Sequence, residues 1–86
     1  GTPLNDNLQD FLLAVSNFLD KVSKQEQPDI NQIKEDFSKM VETAVMQNIQ
    51  TPVGSYIYRM YSDRLNVTQK EQIMTRADES FIKAVN

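Results

Sequence analysis

The feature that most constrains this chain is a stripe of apolar residues at helical spacing near its start. Its members recur at steps of three and four residues: Leu4, Leu8, Phe11, Leu12, Val15, Phe18, Leu19 and Val22. A stripe of this kind is one face of an amphipathic helix that packs its apolar side into a core. We therefore predict a first helix from Leu4 to Ser23, ended by the polar segment that closes at Pro28.

Three further stripes follow, and each has its own start signal. The second predicted helix runs from Ile30 to Asn48, the third from Pro52 to Leu65 and the fourth from Gln69 to Val85. The start signals are the pairs Asp29 and Gln32, Thr51 and Pro52, and Thr68 and Glu71. An acceptor residue with Gln or Glu three positions later forms a capping box, and Pro suits a first helical position.

The end of the second predicted helix departs from its stripe. Ile33, Phe37 and Met40 lie on one face, whereas Met46 and Ile49 fall beside it. Val45 falls off the face in the same way. Either several other elements enclose this end of the helix, or its apolar side chains reach solvent.

Short links define the predicted architecture. Connections of roughly two to six residues favour antiparallel neighbours. We predict one all-α domain over residues 1–86, folded as an antiparallel up-and-down four-helix bundle. The alternative is a three-helix bundle with an unpacked last helix. The apolar stripe of the fourth helix favours the four-helix arrangement, because an unpacked helix has no need of one.

The composition leaves little room for catalysis. The 86 residues include no His and no Cys, so the usual general base near neutral pH and all thiolate ligands are missing. Carboxylates occur as sequence neighbours, as at Glu35 and Asp36, and neighbours on a helix point about 100° apart. The single internal glycine, Gly54, makes no phosphate-binding loop. We predict no enzymatic activity, no catalytic residue, no metal site and no cofactor.

The charge pattern points to a protein partner. Net charge is −3, and residues 1–50 hold eight acidic side chains against four lysines. An acidic chain without a basic stripe is poorly suited to nucleic acid. No apolar run approaches the ~20 residues of a membrane span, and the absence of Cys fits a reducing compartment. We expect a cytoplasmic protein that binds another protein and neither binds nucleic acid nor spans a membrane.

Five residues are candidates for the partner surface: Leu13, Met46, Tyr58, Arg59 and Arg64. Leu13, Met46 and Tyr58 lie off the apolar stripes of their predicted helices. Tyr and Arg are over-represented among the residues that dominate binding energy at interfaces. Each also has a structural explanation that stays open. Single exposed apolar residues are normal, and Arg64 is placed to bond the last carbonyls of the third helix.

The second half of the chain carries a family resemblance. The turn Thr51-Pro52-Val53, the helix after it and the segment from Leu65 to Ile73 resemble the small immunity proteins against pediocin-like (class IIa) bacteriocins. The resemblance implies a cytosolic bacterial four-helix bundle that protects the producing cell. It implies recognition of the bacteriocin-engaged sugar-transporter receptor from the cytosolic side, with specificity in the second half of the chain and without catalysis.

A competing interpretation is a small adaptor or regulator of phage, plasmid or bacterial origin. Such a protein acts by binding another protein through a helix surface or by forming a homodimer. In that case Val45, Met46 and Ile49 would be interface residues. We expect either a monomer or a weak homodimer. A monomer that protects sensitive cells favours immunity, whereas stable association without protection favours the adaptor.

Overall fold

The computed structural model describes the backbone from Pro3 to Asn86 and the side chains from Asp6 onward. All the regular secondary structure in this part of the chain is helical, as predicted, and it contains no strand. Its helices are α1 (Pro3–Ser23), α2 (Ile30–Gln47), α3 (Pro52–Tyr61), α4 (Val67–Arg76) and α5 (Glu79–Val85), and a 3-10 turn at Ser62–Arg64 follows α3. The sequence predicted four helices, and the described residues form five.

The predicted fourth helix is interrupted at Ala77 and Asp78. Ala77 has an extended backbone after α4, and the Asp78 carboxylate accepts a 2.9 Å hydrogen bond from the Phe81 backbone N–H. Asp favours this capping role over a helix interior because its side chain competes for nearby backbone donors. The chain therefore turns and starts α5, which packs on α3 through the buried ring of Phe81. The last helix is thus docked.

The start of α4 corrects the predicted cap. Thr68 and Glu71 do not form the capping box, because α4 already begins at Val67. Asn66 caps it instead: its Oδ1 accepts from Gln69 N at 2.7 Å, and Gln69 Oε1 accepts from Asn66 N at 2.9 Å. Both pairs have the required spacing. Tertiary contacts decide between them, since Gln69 is buried and its amide also bonds side chains of α2.

The other two predicted starts lie where expected. Asp29 caps α2 by accepting from Gln32 N at 3.2 Å, while the Gln32 side chain turns to Asp36. Pro52 is the first residue of α3, and Thr51 occupies the cap position. The Thr51 hydroxyl makes no cap bond and donates to the Asn48 carbonyl at 3.0 Å.

The core centres on the second half of α2. Its buried apolar residues are Phe11 and Val15 of α1, Val41, Ala44 and Val45 of α2, Val53 and Ile57 of α3, and Leu65, Ile73 and Phe81. Val45 is fully buried, and Met46 and Ile49 pack against the core. The end of α2 is therefore enclosed on several sides. This rules out Val45 as part of an interface.

Gly54 permits the close approach of α2 and α3. A Cβ at this position would lie 2.7 Å from the Asn48 carbonyl carbon and 3.1 Å from the Ile49 Cα. Both neighbours are backbone atoms, which cannot rotate away as a side chain does. The lone internal glycine is thus explained by helix packing.

The molecule is thin and open. Its principal extents are 44 × 34 × 16 Å, so the molecule is flattened along one axis. The radius of gyration is 13.6 Å, against about 12 Å for a compact chain of this length. Its accessible surface is 6076 Å², compared with about 5,200 Å² for a monomer of this mass. Several large apolar side chains consequently reach solvent, among them Leu12 and Leu19 of the α1 stripe.

Removing the observed cap tests the start of α4. Asn66→Ala should lower the free energy of unfolding by about 1 kcal/mol, because it leaves the Gln69 N–H without its acceptor. Thr68→Ala should change stability by less than about 0.5 kcal/mol, since Thr68 is exposed and caps nothing. Urea unfolding of both variants measures the difference. A larger loss for Thr68→Ala would contradict the cap at Asn66.

Gly54→Ala tests the contact between α2 and α3, because helix propensity and packing predict changes of opposite sign in the free energy of unfolding. Helix propensity alone would stabilise the protein by about 1 kcal/mol. The clash with backbone of Asn48 and Ile49 should outweigh this and produce a net loss of about 2 kcal/mol. Ser55→Ala, which adds no atom, is the neighbouring control, expected to cost less than about 1.5 kcal/mol. A stabilised Gly54→Ala variant would show that α2 and α3 lie further apart.

Candidate functional site

The structure does not gather the five predicted partner-binding residues into one site. Leu13 is exposed on α1, and Arg59 is exposed on α3. Met46 is half-buried against the core, so it is mainly a packing residue. Arg64 is exposed in the 3-10 turn and borders a groove. The predicted set is therefore spread over three helices and a turn.

Tyr58 has a different environment from the one predicted. It was expected to point away from the core, yet its ring packs edge-on against Phe81 with the centroids 5.6 Å apart. Tyr56 and Met60 are exposed. α3 is rotated relative to the prediction because α5 packs on its Tyr58 side, and the position of α5 follows from the break at Asp78. The sequence stripe contained no sign of that break.

An apolar groove is one of two concave features of similar volume. It lies between the later half of α1, the early half of α2 and the end of α3, and its volume is about 530 Å³. The lining residues are Val15, Phe18, Leu19, Ile33, Lys34, Phe37, Tyr61, Asp63 and Arg64. Grooves that bind an apolar segment of another protein have this kind of lining.

Packed aromatic rings form the wall of the groove. Phe37 lies 5.8 Å from Phe18 and 5.6 Å from Tyr61, measured between ring centroids, and Tyr61 lies 5.6 Å from Phe11. The edge-on contacts of Tyr61 favour one arrangement of the rings. Phe18, Phe37 and Tyr61 are only half-buried. The wall is therefore ordered by packing yet still accessible to an apolar partner.

Three charged residues stand at the rim. Arg64 Nε lies 4.0 Å from Asp63 Oδ2, at the limit of an ion pair, and both side chains are largely exposed. Lys34 makes no ion pair with any of the described residues. A surface pair of such length contributes little. Two cationic heads consequently remain available to a carboxylate beside the apolar wall.

Sequence reasoning identified only Arg64 among the groove residues as a binding candidate. Phe18, Leu19, Ile33 and Phe37 belong to the predicted core stripes, yet they line the groove. Lys34 had no distinguishing signal. The sequence did contain one clue to the groove residues: the apolar stripe of α1 is wider than the face that a thin fold can bury.

A second groove between α1 and α2 is more polar. Its volume is about 550 Å³, and Asp10, Asp36, Lys39 and Asn48 are among its lining residues. The two carboxylates and the ammonium group give it mixed charge. Among the residues that the structure describes, no three acidic side chains come together as a metal-ligand set. This groove offers less apolar surface and no defined ligand chemistry.

Because the comparisons with known proteins found no match, the groove is the main observation that bears on function. No protein-family model, curated protein or solved structure matches this chain. Within the described residues, no helix has both the length and the apolar character that crossing a bilayer requires.

Alanine substitution at two adjacent positions of α3 distinguishes a side chain that packs within the fold from one that lies on the surface. Tyr58→Ala should lower the free energy of unfolding by about 2 kcal/mol, because it removes the ring that packs on Phe81. Arg59→Ala should change it by less than about 0.5 kcal/mol, since Arg59 is exposed. Thermal unfolding of the two variants provides the comparison. Equal stability of Tyr58→Ala and the wild type would contradict the docking of α5.

Proposed function

We propose that this protein is a non-enzymatic module that binds another protein in the apolar groove. The observation that supports this is an accessible aromatic wall bordered by two cations without strong partners. The proposed occupant is an amphipathic segment with an apolar face and a flanking carboxylate. Its apolar face would cover Phe18 and Phe37, and the carboxylate would pair with Arg64 or Lys34.

The energetics favour a groove of this kind over the rest of the surface. Half-buried aromatic rings gain contact with a partner while losing little conformational freedom, because the core already holds them. Arg64 adds a planar donor group that matches a carboxylate. Some exposed charges elsewhere form pairs within one helix turn, such as Lys39 with Glu35 and Lys83 with Glu79. Those charges are already partnered.

The specific role we propose is bacteriocin immunity in the bacterial cytoplasm. The support is the sequence resemblance over residues 51–73 to immunity proteins against pediocin-like bacteriocins, together with Arg64, which lies in that segment and at the groove. The protein would protect the producing cell by binding the bacteriocin-engaged transporter receptor from the cytosol. Neither a cofactor nor a catalytic residue takes part in this proposal.

A survival experiment tests the role and the groove together. The wild type and the double variant Lys34→Glu, Arg64→Glu are expressed in a sensitive strain and challenged with a panel of pediocin-like peptides. We expect the wild type to protect and the double variant to lose most protection, because two rim cations become anions. Protein level and melting temperature are measured for each variant, and both should match the wild type.

The matched control reverses two arginines outside the groove. Arg59→Glu, Arg76→Glu makes the same change in net charge, and both side chains are exposed. Protection should survive in this control. Loss of protection in the control alone would place the partner surface on the outer side of α3 or α4. Failure of the wild type against the whole panel would count against immunity.

A second candidate function is the adaptor or regulator that associates with itself or another protein. The observation that favours it is the open, thin shape, since the chain exposes about 900 Å² more than a compact monomer of its mass. Stable association without protection in the survival experiment would support this candidate over immunity.

A further inference from the structure

We propose that α5 is a latch that detaches from α3 as a unit and thereby uncovers Tyr58. In the closed state, which the structure shows, the rings of Tyr58 and Phe81 pack edge-on with their centroids 5.6 Å apart. In the open state the chain would hinge at Ala77 and Asp78 while α1 to α4 stay folded. The proposal goes beyond the groove, because it concerns the side of α3 that α5 covers.

Apolar packing alone attaches α5 to the rest of the fold. Phe81 is its buried residue, Val85 is half-buried, and its other side chains are exposed. Its ion pair, between Lys83 and Glu79, lies within the helix itself. Among the described residues, no side-chain hydrogen bond or ion pair joins α5 to another helix. Detachment of α5 therefore breaks no polar contact with the other helices.

A gap beside α5 weakens its docking further. A space of about 280 Å³ opens between α5 and the start of α3, and its lining includes Ser80 and Ala84 on one side and Pro52 and Ser55 on the other. Atoms that line a gap lack packing partners on that side, so they add little dispersion energy. The contact at Phe81 consequently dominates the attachment of α5.

The preceding helix, α4, is attached in a different way. Gln69 at its start bonds Ser38 and Glu42 of α2, and Ile73 is fully buried. The extended backbone of Ala77 then separates α4 from α5. Residues at the ends of helices are the usual hinges of such movements. The break lets α5 leave α3 without disturbing the hydrogen bonds that hold α4.

The energetic balance makes the open state accessible. α5 has seven residues, whereas an isolated helix needs about 12–15 to be even marginally stable in water. Burial of one Phe side chain corresponds to an equilibrium constant of about ten to a hundred in favour of docking. We therefore expect the open state in about 1–10% of the molecules.

Opening changes the environment of two neighbouring residues that the sequence marked as candidates for binding. Arg59 is already exposed and makes no ion pair with the described residues, whereas Tyr58 is half-buried beneath α5. Tyr and Arg are the residue types that often dominate binding energy at interfaces. The occupant of the Tyr58 surface is α5 itself. The closed latch is therefore an autoinhibitory contact that withholds Tyr58 from other proteins.

Amide hydrogen exchange of the full chain, followed by NMR, tests the latch. The backbone N–H groups of residues 81–85 should share one opening equilibrium, at least about tenfold more populated than that of Val41 and Val45 in α2. Their protection should also depend less on urea, because opening α5 exposes little surface. Protection that falls steadily toward Asn86 would indicate fraying and would overturn the proposal. Equal opening of α5 and α2 would overturn it too.

Removal of the two helix caps provides matched variants. Asp78→Ala takes away the acceptor of the Phe81 N–H and should speed exchange throughout α5 about fivefold, while Val41 and Val45 keep their rates. Asn66→Ala removes the corresponding cap of α4 and should instead speed exchange at Val41 and Val45, because α4 is bonded to α2. The same response to both variants would contradict an independent α5.

Nitration of tyrosine by tetranitromethane, mapped by mass spectrometry, tests whether α5 covers Tyr58. Asp78→Ala should raise the nitration rate of Tyr58 relative to that of Tyr56, which is exposed in the closed state. Tyr61 packs against Phe11 and Phe37, so its rate should stay constant. Faster exchange in α5 with an unchanged rate at Tyr58 would contradict the autoinhibitory contact.

Discussion

Asn48, at the buried end of α2, fixes the positions of three helices relative to one another. Its side-chain amide donates to the Ala44 carbonyl at 2.9 Å, and its Oδ1 accepts from Asn7 of α1 at 3.1 Å. Its backbone carbonyl accepts from both the N–H and the hydroxyl of Thr51, immediately before α3. These bonds satisfy the end of one helix while they position the beginning of two others. Gly54 then lets α3 approach this same carbonyl.

A second buried polar residue secures the other end of the fold. Gln69 bonds Ser38 and Glu42 of α2 while it completes the cap at Asn66. In the described residues, no buried side-chain polar atom lacks a partner. A network that is fully satisfied favours a single arrangement of its helices. α4 is therefore held by polar bonds at its start and by the buried Ile73 further along.

The sequence predicted well that the chain is helical and where two of its helices begin. It predicted less well which face of a helix is buried. The cap at Asp29 and the helix start at Pro52 follow from local chemistry, so they could be placed in advance. The choice of Asn66 over Thr68 depends on burial of Gln69, which is a tertiary effect. The rotation of α3, which exposes Tyr56 and buries part of Tyr58, depends on where α5 docks. Periodicity within one helix contains no information about such neighbours.

For the same reason, only part of the candidate site was predictable. Arg64 was identified from residue type, whereas the groove beside it depends on how α1, α2 and the end of α3 pack around Phe37. A thin fold has two consequences at once. It opens an aromatic groove suited to a partner protein, and it leaves Leu12 and Leu19 exposed, the second of these at the groove itself.

Small-angle X-ray scattering, extrapolated to zero concentration, tests the thin and open shape most directly. We expect a flat particle with a radius of gyration near 13.6 Å and strongly unequal dimensions. A nearly spherical particle with a radius of gyration of about 12 Å would contradict it. Such a particle would close the groove on which the proposed function rests.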